Sequence, residues 1–292
     1  MKSKIRAAVL VAVSIAAICR AESLLRGDLV AGIRYNPIMC PAPPAVWVFS
    51  DQLAHKMDVY ASGEIAVDGV GRIYVLSDLA APLLEVFDAQ FQRIRSLTLL
   101  EPSSSFAVDE TGRAFIVGES GLVRIYSPEG TLVSTFPLPN VVTPVRDMSI
   151  DIAPDGCTLV YIGPNRAAER YDVCSGTALP PVASGLDAIR ALRDGGFVGA
   201  IVGRIEFFDR NGRFVSDQPT PTADRVNAIA FGPDGRTMWV ATGSKIFEMR
   251  VGVPAVSAQT TVSLVNILSL SVFGEQRPLA SPVEPRRRSV RH

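Results

Sequence analysis

The chain carries little of what side-chain catalysis ordinarily needs. Only two histidines occur in 292 residues, His55 and His292, so neither a Ser-His-Asp set nor a Cys/His metal site can be assembled, and no glycine-rich phosphate loop is present. What remains is carboxylate, amide and guanidinium chemistry. Glu64, Asp147, Arg190 and Asn227 each stand at or near the start of an apolar run. Brought together, they would form a polar wall able to hydrogen-bond a ligand, and a water-filled channel needs such a lining in any case. A second set, Asp68, Asp109, Asp155 and Asp234, lies one to three residues ahead of glycines and reads as turn caps rather than as acids or bases.

Sulfur chemistry is more specific. Cys157 opens the run Cys157 to Ile162, Cys174 closes the run Glu169 to Cys174, and Gly163-Pro164-Asn165-Arg166 turns between them. Folding that hairpin sets the two sulfurs opposite each other, and in an oxidising compartment a disulfide there contributes ~3 kcal/mol through the short loop it closes. Two buried free thiols are the alternative. Cys40 has no evident partner.

The elements that must position these groups come from a repeat. Turn glycines fall at Gly71, Gly112, Gly156, Gly195 and Gly235, at intervals of 41, 44, 39 and 40 residues. Farther on in each unit a strand ends in an aromatic residue or its substitute: Phe87, Tyr126, Tyr171, Phe208 and Met249. Within one unit, Phe106–Val117, Leu122–Ser127 and Thr131–Phe136 are short β-branched or aromatic runs separated by Gly-bearing turns. Runs this short lack the 3.6-residue periodicity of helical repeats, so four-stranded meanders of about 40 residues, the size of a propeller blade, are predicted. The first unit lacks its opening strand and supplies only about Asp28 to Arg34, Val46 to Ser50 and Lys56 to Tyr60. Ile267–Phe273 resembles the missing strand. Sharing one blade between the chain ends closes a ring of six blades and removes exposed edges.

Composition fits one all-β domain: 48% hydrophobic residues, with 29 basic residues balanced by 29 acidic ones. No basic stripe with interleaved aromatics appears, so a nucleic-acid partner is not expected. Lys2, Lys4 and Arg6 precede an apolar stretch from Ala7 to Ile18, which is short for a bilayer span. It reads as an export signal cleaved after Ala21, with secretion or a periplasmic location as the consequence and no transmembrane segment. Cys19 as a lipid-attachment site is disfavoured by the bulky Ile18. The expected organisation is a signal peptide over 1–21, a propeller over 22–276 and a disordered basic tail over 277–292.

Ile65-Ala66-Val67-Asp68-Gly69-Val70-Gly71-Arg72-Ile73-Tyr74-Val75 resembles an NHL-type repeat. Asn227 to Val240 resembles the same step in the gluconolactonase-like six-bladed superfamily, and the chain from about Leu24 to Gln276 is similar to exported bacterial NHL-like propellers of no assigned activity. The resemblance implies the fold and leaves the reaction open, because propellers host many functions. In gluconolactonase-like enzymes a channel-bound divalent cation such as calcium is held by Glu, Asn and Asp, which here implies Glu64, Asn227 and Asp147. Streptogramin-lyase-like activity, also found on this repeat pattern, needs a histidine base that His55 and His292 do not provide.

The leading expectation is an exported, non-catalytic, cofactor-free binding or scaffold module that takes a protein, glycan or small ligand on its loop face and channel mouth, through Glu64, Asp147, Arg190 and Asn227. The proline-rich segment Tyr35–Pro44 and the connection Pro137–Val145 would frame that face. The alternative is a metal-dependent lactonase-type hydrolase.

Overall fold

The computed structural model describes residues 23–35, 46–59, 63–77, 82–145, 148–163, 166–182, 185–261 and 265–280. These form a six-bladed β-propeller in which every blade is a four-stranded antiparallel meander. The first blade is built from both ends of the chain. Its strands are β1 (Leu29–Tyr35), β2 (Val46–Phe49) and β3 (His55–Val59), with β24 (Val265–Val272) innermost. Blade 2 contains β4 (Gly63–Val67), β5 (Ile73–Ser77), β6 (Leu83–Phe87) and β7 (Arg93–Thr98). Blade 3 contains β8 (Ser103–Val108), β9 (Ala114–Gly118), β10 (Leu122–Tyr126) and β11 (Leu132–Pro137). In blade 4 these are β12 (Ile150–Ile152), β13 (Thr158–Ile162), β14 (Ala168–Asp172) and β15 (Thr177–Leu179). Blade 5 has β16 (Ala188–Ala191), β17 (Phe197–Ile201), β18 (Arg204–Phe208) and β19 (Phe214–Pro219). Blade 6 has β20 (Ala228–Phe231), β21 (Thr237–Thr242), β22 (Lys245–Arg250) and β23 (Val253–Thr261).

The predicted ring closure is therefore present, with Leu29 paired to Val272 and Tyr35 to Val265. A strand that completes its own ring from the far end of the sequence leaves no open inner edge. Six apolar clusters hold the assembly, one at each junction between neighbouring blades. The alternation of strand side chains explains this arrangement: one face of each sheet meets the preceding blade and the other the following one, so the inner and middle strands are buried on both faces. The outer strands β7 and β11 are instead largely exposed.

The turn motif locks blades as well as capping turns. Asp109 Oδ1 accepts from the backbone of Thr111 and Arg113, and Arg113 Nε lies 2.6 Å from Asp109 Oδ2. The same guanidinium then donates to Gly156 O in the next blade. Arg72 repeats the device, paired to Asp68 at 2.5 Å and donating to Thr111 O. Gly112 has φ +90°, and a Cβ there would run into Arg72 Nη2 and stand 2.7 Å from the Tyr74 hydroxyl. Glycine is thus required for backbone conformation and for space. Asp155 and Asp234 cap their turns through Thr158 and Thr237, and no inter-blade bond from Arg236 is formed among the described residues.

Cys157 and Cys174 are joined by a disulfide across 17 residues, with Cα atoms 5.2 Å apart. Residues 1–21, Cys40, most of Tyr35–Pro44 and residues 281–292 lie outside the described residues, so the signal segment and most of the tail do too. Arg277–Ala280, assigned to the tail from sequence, packs against the propeller: Pro278 O accepts from Arg193 N, and the Ala280 side chain enters the cluster between blades 5 and 6. Among the described residues no helix is long and apolar enough to cross a membrane.

Candidate functional site

All six innermost strands start at one mouth of the channel and end at the other, so the residues just ahead of each strand meet there. The upper mouth, at the strand starts, is a cavity of about 700 Å³. Glu64, Ser104, Ser149, Asp187 and Asn227 line it, with Asp224, Arg225, Thr242 and Lys245 above them. Tyr35 pairs with Val265 at the strand-start end of β24, which places the two ends of the segment between β1 and β2 on this face. The Pro137–Val145 connection is on the same face, with Leu138 N bonded to Gly121 O and Val145 N to Glu119 O.

Glu64 and Asn227 therefore meet at one mouth, as their positions at the starts of inner strands imply. Glu64 Oε2 accepts from Ser105 Oγ at 3.0 Å and from Phe106 N at 3.3 Å, while Asn227 Nδ2 donates to Ile267 O at 3.0 Å. The Asn227 side chain thus braces β24 from the wall of the cavity. Asp147, the remaining oxygen donor of the implied cation set, lies outside the described residues. Among the described residues no three His, Cys, Asp or Glu side chains are grouped to hold a metal ion.

Arg190 lies deeper in the same channel, where it lines a small space of about 60 Å³ together with Glu64 and Asn227. It sits on β16 below the mouth, and its guanidinium reaches Asp151 and Glu275 rather than Glu64 or Asn227. Burial works against its charge, but Asp151 and Glu275 outweigh that and raise its pKa above the ordinary arginine value. Burial likewise opposes the Glu275 carboxylate, yet Arg190 and Arg277 hold it below the usual glutamate range. Arg277 also pairs with Asp151 at 3.0 Å and donates to Ile152 O at 2.6 Å. The segment after β24 thus crosses the lower mouth, leaving there a smaller cavity of about 280 Å³. These paired charges fasten blades 4, 5 and 6 to the chain end.

The wall residue that stands beside Asn227 in the repeat is Asp187. Both lie eight residues before their turn glycines, Gly235 and Gly195, whereas Arg190 lies five before. Counting back from the glycines would have identified it from sequence. Asp187 is buried, and its Oδ1 takes Arg225 Nε at 2.7 Å together with the Arg166 guanidinium. Among the described residues its Oδ2 and the buried Thr242 Oγ1 have no hydrogen-bond partner, and both residues line this cavity. Buried polar atoms left unpaired are few in folded proteins and tend to mark places with a role beyond stability.

The fold and channel define the protein as a six-bladed β-propeller with a polar well at one mouth. In comparisons with known proteins the chain matches no family model and no curated protein.

Proposed function

We propose that the protein is an exported, non-catalytic binding module whose ligand enters the upper mouth. The observation that carries this reading is the asymmetry of the channel. One end opens into a cavity of about 700 Å³ walled by Glu64, Asp187, Asn227, Thr242 and Lys245, while the other is crossed by a chain segment pinned through Glu275 and Arg277. A concave site with several converging polar groups is the usual form of a ligand pocket. The Cys157–Cys174 disulfide and the apolar N-terminal stretch support export, since disulfides persist in oxidising compartments.

A thermal-shift screen of soluble metabolites and glycans on purified protein tests the binding reading. A hit should be lost in the Asn227→Ala/Lys245→Ala double variant, whose melting temperature without ligand falls only slightly, through the lost Asn227–Ile267 bond. A hit that survives both substitutions places the site elsewhere. Export is tested by the N-terminus of protein recovered outside the cytoplasm, expected at Glu22.

The gluconolactonase-like alternative is supported by Glu64 and Asn227 standing at one mouth. It requires calcium or another divalent ion to raise the melting temperature by mass action and a lactone to be hydrolysed. An unmoved melting curve with calcium, magnesium, manganese and zinc removes it.

A further inference from the structure

A second cavity, remote from the channel, has the opposite character. It is a groove of about 800 Å³ between blades 5 and 6, walled by Phe207, Val251, Val253 and, from the segment after β24, Pro278, Leu279 and Ala280. Leu279 and Val253 expose 43% and 44% of their surface although the groove offers apolar cover. Apolar area left in a concave site of this size is available to a ligand.

One end of the groove is polar. Gln218 is 4% exposed, its Oε1 fixed by Gly252 N at 2.7 Å, and its Nε2 has no hydrogen-bond partner among the described residues. Arg250 pairs with Thr237 across β21 and β22, and Arg236 O accepts from Val251 N, so both arginines gather at the turn that holds Gln218. Both are exposed, and neither guanidinium has a partner among the described residues. Of the two carboxylates nearby, Asp234 is spent on Arg236 N, Thr237 N and the Thr237 hydroxyl, and Asp217 lies on the exposed outer strand β19.

We infer that this groove binds an amphiphilic monocarboxylate with a long apolar chain. The carboxylate is an acceptor for the fixed amide donor of Gln218 and the counter-charge for Arg236 and Arg250, and the chain covers Phe207, Val253 and Leu279. A neutral amphiphile satisfies only the apolar wall, and a short carboxylate only the polar end.

Calorimetric titration of the full chain with decanoate, decanol and butyrate, below micelle-forming concentrations, tests the assignment. Decanoate should bind best, and butyrate not measurably. Arg236→Ala/Arg250→Ala should weaken decanoate about tenfold, the loss of roughly one charge-assisted contact, and leave decanol unchanged. Asp217→Asn should tighten decanoate, and Val253→Asp should weaken both long-chain ligands. If a variant fails to fold, the decanoate-to-decanol ratio on wild-type protein decides, and a ratio near unity overturns the proposal. No decanoate binding also overturns it. So does binding that emerges only after truncation at Ala280, because the occupant would then be the chain's own C-terminal end.

Discussion

Arg190 on blade 5 grips Glu275 at two points across 85 residues of sequence, with Nε 3.2 Å from Oε1 and Nη2 on Oε2. Glu275 Oε1 also accepts from Phe231 N at 2.9 Å. One carboxylate therefore ties the chain end to two blades, beyond the closure made by β24.

Replacing Glu275 with Gln should lower unfolding free energy at pH 7 by ~3–5 kcal/mol, because it leaves Arg190 buried with half its counter-charge. The folded-state pKa of Glu275 lies below its ordinary value of 4.5. Its contribution is thus complete above that value and is lost as pH falls through the lowered one. Denaturant titrations of wild type and variant should differ most at neutral pH and converge in strong acid. A gap unchanged at pH 3 would contradict the role assigned to the pair.

Truncation after Met249 removes β23 and β24 and opens the first blade. Calorimetry should then show no cooperative transition, since β1 loses its inner neighbour, the cluster between blades 1 and 6 loses Ile267, Leu270 and Val272, and that between blades 1 and 2 loses Phe273. A sharp transition in the truncated protein is the contrary outcome.

Gly112→Ala should destabilise by ~1–3 kcal/mol, combining positive φ with displacement of the Arg72 guanidinium. Arg72→Ala should cost less alone and make the Gly112→Ala effect smaller. Additive losses in that double-mutant cycle would separate the two residues.

Reducing Cys157–Cys174 should cost ~3 kcal/mol through the short loop it closes. Alkylation with and without reductant, read by mass spectrometry, should show both cysteines protected until reductant is added. Labelling of both without it would refute the bond.

The fold was legible because a repeat states the same local instruction several times. Each Asp, Gly and Arg around Gly71 and Gly112 encodes a turn whose geometry is local, and short continuous β-branched or aromatic runs encode strands buried between sheets. The disulfide was legible for the same reason, as a hairpin sets its own register. The site was only partly legible. Glu64 and Asn227 fall at strand starts and meet at one mouth, but Arg190 is three residues farther along its unit than Asp187, and that offset sets it deeper in the channel, where its guanidinium meets Glu275.

The sequence by itself determined the blade: where chains turn, which faces are apolar, and that the ends must share a sheet. Only the tertiary structure decided which mouth is open, because that depends on Glu275 and Arg277 finding Arg190 and Asp151 across the ring. Nor does any repeat announce the groove beside Gln218, which exists only where blades 5 and 6 and the chain end meet. Local chemistry repeats with the sequence, whereas contacts between distant segments are fixed by the radius and closure of the ring.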